Sequence, residues 1–432
     1  MSNQDSAESF NGIEQFVVNI DRNLIRTKGG SRRHLHLHVQ AGSSTLGAER
    51  PPVRVGFALD RSGSMGGGKL TLAAAAVCEA IALLQPRDEF NVVFFDEHLD
   101  TVVPQAAATA ENKREAQRRC MEVLPRGSTN LSGGWALACA NLSAEHKPDN
   151  LDLCVLLTDG QANAGIVDPD QLREHSREMR MRGVVTTCIG VGEGFAERLL
   201  KGMADAADGR FYFAEGAGQL RTVMAGEIGE ALEVTAPGVA IEIVPRNGGR
   251  IGALGSFRTS LKDTTLRMEL GDLCSNQTVD TVVEILCPEG QLGETLIFDV
   301  RLVGREGELL APLQTMQLTY AERDQVIAQP RDRQVDRLVA QHHADRTRIK
   351  AVALNREREF GEAGALLRRV ARRIAEYAGG DSQLEQLVRE LERDAMRYSE
   401  QIREMDLKTD FTQAHNRTKS RTTTGTSTRR GS

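Results

Sequence analysis

The chain has 432 residues, of which 40% are hydrophobic, so it can bury a large core and is long enough for two or three structural units. Its formal net charge of −6 does not favour tight binding of the whole molecule to nucleic acid or to an anionic membrane, because both require dense positive charge. Any such binding has to be local.

The N-terminal segment, residues 1–11, is polar, and we expect it to be disordered. It has no basic region followed by an apolar stretch, so no secretory signal is predicted. No apolar run approaches the length that spans a membrane. The seven cysteines include no Cys-x-x-Cys pair and mostly lie within apolar runs, which is typical of buried thiols in a reducing compartment. These features predict a cytoplasmic protein.

Residues 12–51 and 233–325 share the two-residue alternation of half-buried strands. In the first flank the alternating apolar residues are Phe16, Val18, Ile20, Leu35, Leu37 and Val39, and in the second flank they are Ile241, Ile243, Leu266, Met268, Leu270, Val283, Ile285, Leu296, Phe298, Val300 and Leu302. Two strands alone are marginally stable. We therefore predict that both flanks build one antiparallel β-sandwich.

Residues 52–232 switch to strands that alternate with helices, which is typical of a parallel sheet covered on both faces. The predicted strands are 53–59, 90–95, 151–158, 184–191 and 210–213, and the predicted helices are 70–84, 112–124, 132–142, 169–182, 195–206 and 219–232. We therefore predict an α/β fold with a doubly wound, mostly parallel sheet inserted in the sandwich.

Residues 326–406 are highly charged and lose strand character. Their apolar residues step by three and four along two runs, Phe360, Ala363, Leu367, Val370, Ile374 and Tyr377, then Leu384, Val388, Leu391, Ala395, Tyr398 and Ile402. The glycines at 379 and 380 separate the runs, so an α-helical hairpin is predicted. Residues 407–432 form a basic tail rich in Ser and Thr, which we expect to be disordered.

Three segments place oxygen ligands at the predicted edge of the central sheet. Asp60, Ser62 and Ser64 follow its first buried strand, Thr129 precedes a helix, and Asp159 ends an apolar strand. Loops at the carboxyl ends of parallel strands converge to form a ligand crevice. Hydroxyl and carboxylate oxygens are hard ligands, so these residues predict a site for Mg²⁺, with Mn²⁺ or Ca²⁺ as alternatives. With at most two carboxylates in reach, the ion would also attract a carboxylate from outside.

This pattern resembles the von Willebrand factor type A domain, whose metal-ion-dependent adhesion site combines Asp-x-Ser-x-Ser with a distant Thr and a distant Asp. Asp60, Ser62, Ser64, Thr129 and Asp159 fill these positions. The resemblance covers the predicted α/β domain. It implies that the hydroxyl residues coordinate the ion directly, that both aspartates act largely through water, and that a glutamate or aspartate of a partner protein completes the coordination sphere.

The overall layout also resembles bacterial proteins labelled as calcium-activated chloride channel homologues. Channel activity is not expected, because no membrane-spanning segment is predicted. No serine lies in a Gly-x-Ser-x-Gly motif and no cysteine has a neighbouring histidine, so we do not expect an enzyme. We expect a metal-dependent protein-protein interaction scaffold. The alternatives are an adaptor of a cytosolic ATPase or of Ser/Thr kinase and phosphatase signalling, and, in another class, a metal-dependent hydrolase.

Several histidines and the tail leave alternatives open. His34, His36 and His38 share one face of a predicted strand, which we interpret as solvated, with metal binding as the alternative. His342 and His343 are predicted to face water. The basic tail can simply solvate the end of the chain, accept phosphate, or bind nucleic acid locally.

Overall fold

The computed structural model describes residues 12–43, 51–144, 150–160, 162–192, 194–418 and 421–423. The chain divides into two units, one comprising Leu46–Val234 and the other joining Met1–Thr45 to Thr235–Ser432. Residues 1–11 and 424–432, both predicted to be disordered, lie outside the described residues.

Strands and helices are numbered separately in chain order. The strands are β1 Ile13–Ile20, β2 Leu24–Arg26, β3 Arg32–Ala41, β4 Val53–Asp60, β5 Glu89–Phe95, β6 Leu99–Ala107, β7 Leu151–Thr158, β8 Val184–Val191, β9 Phe211–Ala214, β10 Val234–Pro245, β11 Arg250–Ala253, β12 Arg258–Lys262, β13 Thr265–Cys274, β14 Gln277–Leu286, β15 Thr295–Val303, β16 Gln314–Ala321 and β17 Arg421–Thr423. The helices are α1 Lys69–Leu83, α2 Ala110–Met121, α3 Leu131–Ser143, α4 Pro169–Met181, α5 Glu197–Ala206, α6 Ala217–Leu232, α7 Arg323–Ala328, α8 Arg333–Arg356, α9 Phe360–Ala378, α10 Ser382–Arg397 and α11 Glu404–Thr418.

The central unit contains a sheet with the strand order β6-β5-β4-β7-β8-β9. Neighbouring strands run parallel except for β6, which pairs antiparallel with β5. Helices α1, α2 and α6 contribute to the apolar core on one face, and α3, α4 and α5 contribute to the core on the other. The predicted doubly wound α/β fold is therefore confirmed.

Strand β6 was not predicted. Its sequence contains Pro104, which has no amide hydrogen to donate and is tolerated mainly on edge strands. The register between β5 and β6 is also irregular. An edge position and a broken alternation remove the pattern from which a strand is normally inferred.

Strands β4 and β7 lie at the centre of this sheet and are buried at every position. Arg54 of β4 lies directly opposite Asp152 of β7 in the register. Arg54 donates hydrogen bonds from Nε and Nη2 to the two carboxylate oxygens of Asp152, at 2.8 and 2.7 Å. Pairing both charges in this way allows them to occupy otherwise apolar strands.

The second unit contains two further sheets. One has the order β1-β3-β14-β11, with β17 also paired to β14, and the other has the order β12-β13-β10-β15-β16-β2. Alternating apolar residues from both sheets form one core, including Leu37, Ile241 and Phe298. The pairs described for these sheets are antiparallel apart from β2 with β16. Both flanks thus build the predicted β-sandwich.

The C-terminal region is helical, as predicted, and α9 and α10 form the expected hairpin on either side of Gly379 and Gly380. Helix α8 was not predicted as a separate element. It packs on the sandwich, where its Val335 and Val339 belong to one apolar cluster with Val282 and Leu254. The prediction that His342 faces water is wrong, because this side chain is 2% exposed. Helix packing buries it at a place where the sequence is highly charged.

Residues 407–418 also differ from the disordered tail expected there, because they belong to α11. Leu407, Phe411 and Ala414 are spaced by four and three residues and are buried, and the first two belong to the helical core. Beyond this helix, β17 pairs antiparallel with β14. Within the described ranges, no helix combines the length and apolar character needed to cross a membrane.

Candidate metal centre

The three predicted segments meet at one edge of the central sheet. Their convergence can be measured as distances from the position that a Cβ atom would take on Gly160, the residue after Asp159. That point lies 3.5 Å from Oγ of Ser64, 3.6 Å from Oγ1 of Thr129 and 3.9 Å from Oδ2 of Asp60. Oxygens from two separate stretches of the chain, 60–64 and the Thr129 loop, therefore lie within 4 Å of one point on the third stretch, where a glycine leaves room.

Hydrogen bonds join the remaining predicted residues to the same cluster. Oγ of Ser62 lies 3.0 Å from Oγ of Ser64, which donates a hydrogen bond of 2.6 Å to Oδ1 of Asp159. Ser62 and Asp159 are buried, whereas Ser64 is exposed. The structure thus brings together every residue that the sequence predicted for the site, with Ser64 on its solvent-facing side.

Asp60 ends strand β4 and is fully buried. Its Oδ1 accepts a hydrogen bond of 2.7 Å from the amide of Ser62, and its Oδ2 accepts one of 2.5 Å from Oγ1 of Thr158. Burial raises the pKa of Asp60, and the nearby Asp159 carboxylate adds to this rise, while the hydrogen bonds from Thr158 and Ser62 oppose it. A cation close to both carboxylates would favour their ionised forms.

Lys69 is the first residue of α1, and its positively charged ammonium group lies at the site. Its Nζ lies 2.5 Å from Oδ2 of Asp159 and donates a 3.1 Å hydrogen bond to the carbonyl oxygen of Ser64. The side chain is 41% exposed. The ammonium group therefore touches the cluster from its solvent side and partly neutralises Asp159.

The loop that carries Thr129 is fixed through its backbone. The Thr129 amide donates a hydrogen bond of 2.7 Å to Oδ1 of Asn163, and the Thr129 carbonyl accepts hydrogen bonds from the amides of Asn163 and Ala164. Asn130 then caps α3 by accepting a hydrogen bond from the amide of Gly133. The segment after β7 thus holds the Thr129 loop close to Asp159, the residue that directly follows β7.

A network of ion pairs connects the loops that carry the site residues. Arg61 is buried and donates from Nε to Oδ2 of Asp96 at 3.0 Å, and Arg126 donates to the same oxygen at 2.7 Å. Arg61 also contacts Asp100. Burial opposes ionisation of Asp96, but hydrogen bonds from Arg126, the His98 amide and Arg61 outweigh it and lower its pKa to about 2. Asp96 therefore ties the loop after β4 to the loop before Thr129.

The donor set suits a small divalent cation. Its ligand atoms are hydroxyl and carboxylate oxygens, which are the ligands that Mg²⁺ and Mn²⁺ take in proteins. The cluster contains two carboxylates, Asp60 and Asp159, so it can balance the charge of the ion without excess. Because Ser64 is exposed, a ligand from solution can reach the same side. These residues fit such an ion.

Sequence reasoning missed the residues that support the site. Asp96 follows buried strand β5 just as Asp60 ends β4, and this position was a signal that could have pointed to it. Its partners Arg61 and Arg126 come from two other loops, however, and no spacing in the sequence indicates their pairing. Lys69 was not singled out because a lysine at the start of a helix is common on protein surfaces.

The match to a family model covers residues 55–225, and the family is the von Willebrand factor type A domain. Human inter-alpha-trypsin inhibitor heavy chain H4 is 27% identical over 176 residues, which is 39% of this chain and 18% of the heavy chain. The chain therefore spans about a fifth of the length of this relative.

Two solved structures resemble the chain over most of its length. A von Willebrand factor type A protein from Catenulispora acidiphila has a TM-score of 0.74 and 18% sequence identity, covering 96% of this chain and 98% of its own. The ArnB paralog VWA2 from Sulfolobus acidocaldarius has a TM-score of 0.63 and 16% identity, covering 94% and 97%. These similarities concern the fold. Together with the match to the family model, they show that residues 55–225 form a von Willebrand factor type A domain.

Proposed function

We propose that the type A domain binds a divalent cation, Mg²⁺ or Mn²⁺, through Asp60, Ser62, Ser64, Thr129 and Asp159, and uses it to bind an acidic side chain of a partner protein. The observation that carries the proposal is the convergence of Ser64, Thr129 and Asp60 oxygens within 3.5–3.9 Å of one point above Gly160. When bound, the ion would supply a positive centre that attracts a carboxylate.

The composition of the site favours an external acidic ligand. Mg²⁺ prefers six oxygen ligands, and the protein offers hydroxyls together with two carboxylates. Asp60 and Asp159 are buried, so a partner cannot easily reach them, whereas Ser64 lies at the surface. A carboxylate from a partner would approach on the side of Ser64 and replace water on the ion.

We propose a binding role rather than catalysis. Each carboxylate oxygen at the site already accepts a hydrogen bond: those of Asp60 from Ser62 and Thr158, and those of Asp159 from Ser64 and Lys69. These hydrogen bonds hold both carboxylates in fixed positions within the cluster. Fixed oxygen ligands favour a role in holding an ion and its ligands.

Ion binding is tested by titrating the metal-free protein with Mn²⁺ and Mg²⁺ in a calorimeter. Asp159→Ala and Thr129→Ala each remove an oxygen at the centre of the cluster and should weaken binding at least about tenfold, since even outer-shell partners of metals contribute about 10–100-fold. Asp170→Ala is a matched control, because Asp170 is an 85% exposed carboxylate of the same domain on α4. Normal affinity in both test variants would overturn the proposed ion site.

Partner binding is tested separately, by affinity capture from a lysate of the source organism in Mg²⁺ and in chelator. We expect at least one protein to be retained only with Mg²⁺, to be lost with Asp159→Ala, and to be retained by Asp170→Ala. Replacement of a single exposed Asp or Glu on that protein should also release it. Capture that is equal in Mg²⁺ and in chelator would contradict a metal-bridged contact.

A further inference from the structure

Two histidines and an aspartate lie together on the outer face of the sandwich sheet that contains β3 and β14. Nε2 of His36 lies 2.7 Å from Oδ1 of Asp280, and Nδ1 of His38 lies 2.9 Å from the same oxygen. One potential ligand atom from each residue lies within 4.8 Å of the other two. In the register of the sheet, His38 is directly opposite Asp280 and His36 is opposite Val282, so the three polar side chains share one face.

This cluster is partly closed from water. His36 is 1% exposed, while the side chains of His38 and Asp280 are 22% and 26% exposed. Helix α8 packs on the same face of the sheet, where its Val335 and Val339 belong to one apolar cluster with Val282. The cluster therefore has a dry side next to apolar contacts and an open side that an ion can enter.

The three groups form a ligand set that differs from the oxygen site of the type A domain. Imidazole nitrogen suits Zn²⁺, Ni²⁺, Cu²⁺ and Fe²⁺, whereas Mg²⁺ and Ca²⁺ prefer sites made of oxygen. Two histidines and one carboxylate are a ligand combination found in zinc sites, in which water or another ligand takes the fourth position. The chemistry of the cluster therefore selects a transition metal.

We propose that His36, His38 and Asp280 form a second metal site, which binds Zn²⁺ with a fourth position open to water. The ion would join β3, near the N-terminus, to β14, which follows the inserted domain in sequence. The site would then link two segments of the sandwich that lie far apart in the chain.

The observed spacing is compatible with such an ion after a small movement. Zn–N bonds of about 2.0–2.1 Å in a tetrahedral site place two ligand atoms about 3.3 Å apart. The two nitrogens here lie 2.7 and 2.9 Å from Oδ1 of Asp280, as hydrogen bonds require. Binding would therefore replace two hydrogen bonds to one oxygen by three bonds to the metal, with a separation larger by about 0.5 Å.

The neighbouring histidine provides a matched control. His34 lies on the same strand and the same face, but its ring nitrogens lie 3.8 Å from Asp21 and 3.9 Å from Glu284. Replacing His34 removes an imidazole of similar location without removing a proposed ligand. Asp159→Ala is a second control, because it affects the oxygen site and not the sandwich cluster.

The test uses tag-free, full-length protein stripped of metal and then kept in excess Mg²⁺, which suppresses binding of Zn²⁺ at the oxygen site. Calorimetric titration with Zn²⁺ should show one equivalent bound, and Co²⁺ should give the visible absorption of a tetrahedral site with nitrogen ligands. His38→Gln and Asp280→Asn should each weaken Zn²⁺ binding at least about a hundredfold. Loss of a direct ligand should cost more than loss of a residue that only contacts a ligand, for which a factor of about 10–100 is typical. Circular dichroism should show that both variants are folded.

The outcomes separate this site from the proposed oxygen site. His34→Gln and Asp159→Ala should bind Zn²⁺ as tightly as the unmodified protein does. Asp159→Ala should do so although its affinity for Mg²⁺ at the oxygen site is reduced. Failure of the unmodified protein to take up Zn²⁺ in excess Mg²⁺ would overturn the inference. The inference would also be overturned if folded His38→Gln and Asp280→Asn bound Zn²⁺ as tightly as the unmodified protein does. Neither result would bear on the proposed oxygen site.

Discussion

The ammonium group of Lys69 lies 2.5 Å from Oδ2 of Asp159, an oxygen that belongs to the proposed ion site. Lys69 also donates a hydrogen bond to the carbonyl of Ser64. A divalent cation and this ammonium group would compete for the same carboxylate, since like charges repel at short distance. We therefore expect Lys69 to lower the affinity of the oxygen cluster for a divalent cation.

Lys69→Met should raise the affinity for Mn²⁺ by about threefold to tenfold, a modest effect because the lysine is partly exposed and screened by water. The measurement is calorimetric titration of the metal-free protein. Lys201→Met is the matched control, because Lys201 forms an ion pair with Asp205 on α5 of the same domain. Weaker Mn²⁺ binding by Lys69→Met would instead show that the lysine holds Asp159 in position for the ion.

Asp96 connects the stability of the type A domain to the geometry of its site. Its carboxylate receives hydrogen bonds from Arg61 and Arg126, and its backbone carbonyl accepts one from the amide of Asn130. Asp96→Asn should lower the free energy of unfolding by about 2–3 kcal/mol, below the ~3–5 kcal/mol typical of a broken buried pair, because Asp100 still pairs with Arg61. It should also weaken Mn²⁺ binding severalfold, since the loop bearing Thr129 loses support.

Asp152→Asn distinguishes these two effects. It breaks the buried pair with Arg54 on the same central strands, but Arg54 lies near the start of β4, whereas the site follows its end. We expect urea unfolding to show a comparable loss of stability and calorimetry to show unchanged Mn²⁺ affinity. If both variants weaken Mn²⁺ binding equally, the effect of Asp96 is one of general stability.

The positions of Asp60 and Asp159 could be predicted because each one ends or follows a buried, mainly apolar strand, and parallel strands end at one edge of their sheet. Local pattern and sheet topology together were enough to bring these residues into one site. Thr129 was predicted from its place in a loop that precedes a helix, and the family resemblance supported it. Its loop is fixed by hydrogen bonds to Asn163, which no sequence period indicates.

The sandwich cluster shows what local patterns cannot predict. The alternation of His36 and His38 placed both on one face, but their contact with Asp280 depends on the pairing of β3 with β14, more than 240 residues away in sequence. The choice between a solvated face and a buried one also depended on α8. That helix is rich in charge, and its packing face was not apparent before the sandwich was known.

The burial of His342 predicts that the stability of the second unit depends on pH. Burial, together with repulsion from His343, Arg346 and His36, lowers its pKa to about 4 against the opposing effect of Asp345. Its Nε2 is buried and has no hydrogen-bond partner among the described residues. The unfolded chain, in which histidine has a pKa of about 6.5, therefore binds more protons than the folded protein between pH about 4 and 6.5.

Stability from this histidine is present above pH about 6.5 and is lost as the pH falls towards about 4. Between pH about 7 and pH about 5 the loss should be about 2 kcal/mol. His342→Gln cannot gain this proton, so its free energy of unfolding should fall by about 2 kcal/mol less over the same interval. Urea unfolding followed by circular dichroism in the presence of chelator measures the difference, with His175→Gln on α4 as a control that should behave like the unmodified protein. An identical pH dependence in His342→Gln would show that other groups cause the acid sensitivity.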